Sequence, residues 1–141
     1  MREQSQLDNS RPGDIFHPNF RQGKAAYIDV TVKNTLRKDL IVQNAEAAGA
    51  AAARGEEDKD RKYRDNVERL GVLFVPLPVE SFGVWTNAAL SALGTISSLS
   101  AAGEDSVSAK ASNLKTQLSV LLWTGNADCV LHVVDLLGEE I

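Results

Sequence analysis

The sequence is short of cysteine, which excludes two classes of small protein. The single Cys129 cannot form an internal disulfide, so a disulfide-stapled secreted fold is excluded. One cysteine with two distant histidines, His17 and His132, cannot form a zinc site of the usual kind. We therefore expect an intracellular, reducing location, cytoplasmic or nuclear. We expect Cys129 itself to be a small buried apolar residue, because it falls in an apolar helical pattern.

Long hydrophobic runs are also absent. No stretch approaches the roughly 18 to 20 consecutive apolar residues that span a bilayer. The polar N-terminal stretch MREQSQLDNS lacks the apolar core of a signal peptide. The sequence therefore predicts a soluble protein with no membrane partner.

Positive charge is scarce and unevenly distributed. The chain has 15 Lys and Arg against 19 Asp and Glu, a net charge of −4, which argues against a stand-alone, sequence-indifferent nucleic-acid binder. Residues 1–40 nevertheless carry seven basic residues against five acidic ones, whereas residues 71–141 carry two against seven. Any contacts with phosphate should therefore come from the N-terminal half.

The length of 141 residues and the 43% hydrophobic content predict one globular domain. Residues 1–13 are polar and predict a flexible lead-in before a domain at 14–141. The remaining segments are predicted as strands at 14–19 and 25–34 joined by a turn at Gly23, a helix at 43–70 interrupted near Gly49 or Gly55, a strand at 72–80, and helices at 86–99, 107–123 and 126–138. Pro76 and Pro78 favour a sheet edge for the third strand. This order predicts an α/β (α+β) fold with a small mixed sheet flanked by helices.

Two acidic residues stand where strand patterns rarely have them. Asp14 begins the first strand-like run and Asp29 interrupts the second, AAYIDVTV, although strand interiors are depleted in Asp. A hairpin would bring the two carboxylates together at one end of the sheet. Carboxylates held close repel each other unless a cation lies between them, and Mg²⁺ is commonly bound through one or two carboxylates plus water and substrate phosphate.

Positive groups that would complete such a site lie in the predicted helix. Lys59 and Lys62 are three residues apart and share a face, and Tyr63 is one turn from Lys59. An ammonium near a phosphodiester orients the attacking water or stabilises the charge that develops on phosphorus oxygens. Glu80, at the end of the apolar third strand, is a further acidic candidate.

Each candidate also has a purely structural interpretation. The run DKDRKYRD is typical of a solvated helix face. Asp14 in PGD suits a turn in which the side chain bonds its own backbone. Asp29 faces solvent if Ile28 and Val30 face the core, and Glu80 can cap the turn that follows it.

Four segments together resemble a known family. RPGDIFHPNFRQGKAAYIDVTV, KDRKYRD, GVLFVPLPVESFGVW and LSVLLWTGNADCVLHVV are similar, in order and spacing, to the C-terminal domain of reverse-transcriptase-like proteins of retroelement origin. Those domains resemble the restriction-endonuclease-like nuclease of non-LTR retrotransposons, a branch of the PD-(D/E)xK superfamily. The resemblance covers residues 11–137.

The resemblance implies roles for the candidate residues. Asp14 matches the first acid and Asp29 the second, while Thr31 stands where many members have a catalytic lysine. The ammonium would then come from the helix, from Lys62 with Tyr63 or from Lys59. Glu80 would either bind the metal with the two aspartates or position the fold.

The implied function is a Mg²⁺- or Mn²⁺-dependent endonuclease that cuts DNA to leave a 3′-hydroxyl. It would be the target-nicking domain of a larger reverse-transcriptase polypeptide, which would be a partner beside DNA. Three alternatives remain open: a degenerate nuclease fold that serves as a binding or assembly module, a junction-resolving nuclease acting as a homodimer, and an unrelated small α/β protein without catalysis.

Overall fold

The computed structural model describes residues 13–100 and 107–138. The predicted lead-in at 1–13 therefore lies outside the described residues, apart from Gly13. Strands are labelled β and helices α. In chain order the elements are β1 Ile15–Arg21, β2 Lys24–Lys33, α1 Ile41–Glu46, α2 Ala50–Lys59, a π-helical turn Asp60–Arg64, α3 Asp65–Glu68, β3 Leu73–Glu80, α4 Asn87–Leu99 and α5 Val107–Gly138. None of the helices in these ranges combines the length and the apolar character that crossing a membrane requires.

The three strands form one mixed sheet in the order β1-β2-β3. β1 and β2 are antiparallel, whereas β2 and β3 are parallel. The hairpin turn is tight because Arg21 pairs with Lys24, and the two residues between them, Gln22 and Gly23, have positive φ angles of 50° and 75°. Such a turn matches the twist of the strands that it joins. The predicted hairpin and the small mixed sheet with flanking helices are confirmed.

β3 is an edge strand, as its prolines predict. Pro76 and Pro78 are two residues apart, so their missing N–H groups fall on the same side of the strand. The N–H of Glu80, two residues further, donates to the Val84 carbonyl at 2.9 Å, away from β2. The prolines therefore remove donors only from the side of β3 that β2 does not use.

The hydrophobic core lies on one face of the sheet. Alternate residues of β2 and β3 point to that face and pack against α4, whose first turn is capped by the Thr86 hydroxyl accepting from the Ala89 N–H at 3.1 Å. The buried cluster consists of Phe20, Ala26, Ile28, Val75, Leu77, Ala89, Ala92 and Leu93. Because successive strand residues point to opposite faces, the remaining residues of β2 and β3, including Asp29, lie on the opposite face.

The connection from β2 to β3 covers that opposite face. A parallel pair needs a crossover, and here it contains α1, α2, the π-helical turn and α3. The predicted helix is interrupted at Gly49, whose φ of 88° is left-handed, and it continues through Gly55. Gly55 lies directly over Lys33, because a Cβ there would come within 3.0 Å of the lysine Cγ. The crossover thus approaches the sheet closely.

The C-terminal region differs from the prediction in two respects. α5 is one continuous helix through Gly125, where two helices were predicted. Cys129, predicted as buried, is exposed, and so are many large apolar side chains of the same helix: Val120, Leu121, Trp123, Val130, Leu131, Val133 and Val134. The helical apolar pattern is real, but only part of it packs on the domain.

Candidate active site

Asp29 lies on the central strand of the sheet, under the crossover helix. Its side chain is only 9% exposed, and its Oδ2 atom lies 2.9 Å from Lys59 Nζ. The Thr31 hydroxyl, two residues along the same face, donates to the same oxygen at 3.0 Å. Burying a carboxylate is costly unless it is paired and hydrogen-bonded, and both conditions are met here. The interpretation of Asp29 as a solvent-facing residue is wrong.

Asp14 lies beside Asp29 at the end of the hairpin. It precedes Ile15, the register partner of Ile28, and Asp29 directly follows Ile28. The Asp14 N–H donates to the Ile28 carbonyl at 2.9 Å, and its carboxylate accepts from the Val30 N–H, also at 2.9 Å. Asp14 therefore bonds the residues on either side of Asp29, which fixes an exposed carboxylate next to a buried one.

The lysines and the tyrosine come from the end of α2 and the π-helical turn. Lys59 Nζ lies 5.4 Å from the centre of the Tyr63 ring, and Lys62 Nζ lies 4.8 Å from it. The Tyr63 ring packs on Phe74 of β3, with centroids 5.7 Å apart. Lys59 also forms an ion pair with Asp29. Tyr63 thus holds both ammonium groups by cation–π attraction while resting on the sheet.

A salt-bridged arginine spans the π-helical turn. Arg64 contacts Asp60 at 2.6 Å and Glu68 at 3.1 Å, one turn away on each side. Burial disfavours the charged form of Arg64, but the bonds and charges of Asp60 and Glu68 outweigh it and raise the pKa of Arg64. π-Helical turns are rare and occur frequently at functional sites. This one immediately follows Lys59 and carries Tyr63.

Glu80 is separate from the two aspartates. It pairs in register with Lys33, whereas Asp29 pairs with Pro76, four residues or about 13 Å away along β3. The Glu80 carboxylate accepts from the N–H groups of Ala51 at 3.0 Å and Ala52 at 3.5 Å. Because no side chain within α2 caps that helix, Glu80 satisfies its first N–H groups from the sheet.

The structure therefore assembles five of the six predicted site residues. Asp14, Asp29, Lys59, Lys62 and Tyr63 share one face of the sheet, and Glu80 lies further along that face under the start of α2. Thr31 was known from sequence only as the residue that replaces a lysine, and its bond to Asp29 could not be predicted. Its position two residues after Asp29 was the available clue.

The oxygen ligands of this site suit one kind of metal. Among residues 13–100 and 107–138, no three His, Cys, Asp or Glu side chains are arranged to hold an ion. Asp14 and Asp29 provide two neighbouring carboxylates, and Asp29 Oδ2 is already shared by Lys59 and Thr31. This set fits Mg²⁺, which commonly uses one or two carboxylates and completes its shell with water and substrate. It does not fit a cage made of protein ligands alone.

Comparison with known proteins gives no relative. No protein-family model matches the chain, and neither a curated protein nor a solved structure matches it. The function must therefore be argued from the geometry of the site and from the motifs of the sequence.

Proposed function

We propose that the protein is a divalent-metal-dependent endonuclease that hydrolyses DNA phosphodiester bonds on a restriction-endonuclease-like core. The observation that carries the proposal is the buried Asp29, with Lys59 Nζ at 2.9 Å and Asp14 alongside. A carboxylate pair that can hold a metal ion, with an adjacent ammonium, can support phosphodiester hydrolysis. In a retroelement protein such a domain would nick the target, with DNA and the remainder of the polypeptide as partners.

Each side chain has a defined task in this proposal. Asp14 and Asp29 would hold the metal, which when bound would supply a hydroxide-like nucleophile at neutral pH. Lys59 would stabilise the charge developing on the phosphate, and Tyr63 would keep the ammonium oriented. Lys62 would add positive potential at the rim, where the substrate strand enters.

A cleavage assay tests the proposal. Supercoiled plasmid and branched oligonucleotides are incubated with Mg²⁺, Mn²⁺ or EDTA, for the wild type and for Asp29→Asn. We expect metal-dependent cutting that the variant loses while its circular dichroism spectrum is unchanged. Asp39→Asn is the matched control, because Asp39 also pairs with a basic residue, Arg37 at 2.7 Å, but on an exposed loop. Equal cutting by wild type and Asp29→Asn would overturn the assignment.

A second candidate function is assembly, and one observation favours it. The exposed side of α5 carries apolar residues at alternating spacings of three and four, which is the seam of a coiled coil. The described members of this seam are Val120, Trp123, Ala127, Val130 and Val134. A homodimer through α5 would cover it, and such a dimer is also what the junction-resolving alternative requires.

Oligomeric state and substrate preference separate these candidates. We expect light scattering to report a dimer whose mass falls to that of the monomer in Val130→Lys. Leu70→Lys, at another exposed apolar position outside α5, is the control and should leave the dimer intact. A dimer that prefers branched DNA would support junction resolution, and a dimer that cuts nothing would support an assembly module. A monomeric wild type would exclude the dimer-dependent candidates.

A further inference from the structure

Two aromatic rings extend the candidate active site along the hairpin. Phe16 and Tyr27 are register partners, and their ring centroids are 5.0 Å apart with an interplanar angle of 51°. Phe16 is 53% exposed. Phe16 follows Asp14 by two residues and Tyr27 precedes Asp29 by two, so all four lie on one face of the sheet. We call the ring pair the aromatic platform.

Within residues 13–100 and 107–138, the aromatic platform is not part of the buried core. The buried cluster lies on the opposite face of the sheet and includes neither ring. A ring that leaves half of its surface in water gains little from burial, since the gain is proportional to the apolar area removed from water. An exposed aromatic residue beside a polar site is therefore better explained by something that binds there.

Two lysines lie on the same side of the sheet as the aromatic platform. One side-chain repeat, about 7 Å, separates the rings from the two aspartates. Lys59 and Lys62 lie on that same side of the sheet, around the Tyr63 ring. Aromatic rings and ammonium groups on one face are the combination that binds the bases and phosphates of a single strand.

We propose that the aromatic platform stacks an unpaired DNA base next to the phosphate that is cut, so that the substrate contains a single-stranded segment. The inference rests on the proposed nuclease function and specifies its substrate class. In intact duplex the bases are stacked on one another and do not present a face to a protein ring. A chain of net charge −4 also has few cations for the many phosphate contacts that hold duplex.

Binding without metal tests the inference apart from cleavage. An oligothymidylate of about 12 nucleotides, within the usual site size of single-strand binders, and a hairpin duplex are titrated in EDTA by fluorescence anisotropy. We expect tighter binding of the single strand by the wild type. Phe16→Ala should weaken that binding at least about fivefold, because alanine in place of a stacking ring costs about 5- to 150-fold.

The neighbouring Ile15 provides a matched control. It is 49% exposed on the same strand but points to the opposite face, so Ile15→Ala should change single-strand affinity less than twofold. Phe16→Leu keeps apolar bulk without a π face and should behave as Phe16→Ala does. This second variant keeps the test decisive if the alanine variant fails to fold.

The outcomes also separate this inference from the nuclease proposal. Equal affinity of wild type and Phe16→Leu for the single strand, or tighter binding of duplex by the wild type, would overturn the aromatic platform even if metal-dependent cutting is observed. If the wild type cuts nothing and Phe16→Leu loses single-strand binding, base stacking on the aromatic platform is supported while the nuclease proposal fails.

Discussion

Lys59 and Asp29 are joined across two layers of the fold, from the last residue of a helix to the middle of the central strand. Their charged atoms lie 2.9 Å apart, with the carboxylate side chain 9% exposed and the lysine side chain 28% exposed. Because Asp29 is the more buried of the two, loss of the ion pair should be more unfavourable for Asp29 than for Lys59. The Lys59 ammonium is the more accessible to water, and the Asp29 carboxylate relies more on its partner.

Removing Lys59 should therefore destabilise the fold more than neutralising Asp29. We expect Lys59→Gln to lower the free energy of unfolding by about 2–3 kcal/mol, because it leaves a buried carboxylate without its cation. Asp29→Asn should cost about 1 kcal/mol, since the amide oxygen still accepts from Thr31. Urea denaturation of both single variants and the double variant gives the coupling free energy. A coupling near zero would mean that the pair does not stabilise the fold.

The two lysines should differ in cleavage. Lys59→Gln should lower the cleavage rate about 100-fold or more, as the loss of a group that stabilises transition-state charge typically does. Lys62→Gln should lower it less than tenfold, because the proposal gives the charge-stabilising role to Lys59, whose Nζ lies 2.9 Å from the buried Asp29 carboxylate. Single-turnover rates under saturating protein measure both effects. The reverse order of the two losses would assign the catalytic ammonium to Lys62.

Glu80 should stabilise α2 through its oxygen more than through its charge. Glu80→Ala leaves the N–H groups of Ala51 and Ala52 buried without an acceptor, so we expect a loss of about 1–3 kcal/mol. Glu80→Gln retains an acceptor oxygen and should lose clearly less. Hydrogen exchange at the α2 amides should be faster in Glu80→Ala than in Glu80→Gln. If the two variants bound metal normally and lost the same free energy of unfolding, capping of α2 would not explain why Glu80 is buried there.

Two glycines should respond to alanine with opposite signs. Gly49→Ala places a side chain at a φ of 88° and should cost about 1–2 kcal/mol. Gly94→Ala, in the interior of α4 with no atom within 4 Å of the added Cβ, should gain about 0.5–1 kcal/mol. Thermal unfolding of the two variants makes the comparison. A loss of stability in Gly94→Ala would show that α4 approaches its neighbours more closely than the structure describes.

The hairpin, the edge strand and α4 could be predicted because local chemistry determines them. Gly23 sets the turn, and the period-two prolines of β3 allow hydrogen bonding on one side only. Gly49 and Gly55 could not be distinguished, since both are weak helix residues. Their difference depends on tertiary contact: Gly55 lies over Lys33, and Gly49 begins a helix that Glu80 caps from another element.

The C-terminal region shows the limit of periodicity. Gly125 costs a helix only about 1 kcal/mol, which the surrounding Leu and Ala residues offset, so one helix forms where two were predicted. Val130 and Val134 recur at helical spacing, yet both are exposed. Helical periodicity of apolar residues indicates that one face of the helix is apolar, but it does not indicate what packs against that face.

Some contacts of the candidate site could be predicted from local sequence, and others depend on long-range packing. Asp14 and Asp29 were brought together by a hairpin that is visible in the sequence. Lys59 and Lys62 were equivalent by helical spacing, so the contact between Lys59 and Asp29 could not be predicted from the sequence. Phe16 and Tyr27 escaped notice because each is an ordinary strand residue until the register sets their rings 5.0 Å apart.

The crossover also imposes an order on the assembly of the site. The loop between β1 and β2 has two residues, whereas residues 34–72 separate β2 from β3. Closing the longer loop costs more chain entropy, so we expect the hairpin to form first during folding. The two acids then meet before the lysine reaches them. The chain would pass through a state in which two carboxylates repel each other, and the arrival of Lys59 beside Asp29 would offset one of those two charges as the fold is completed.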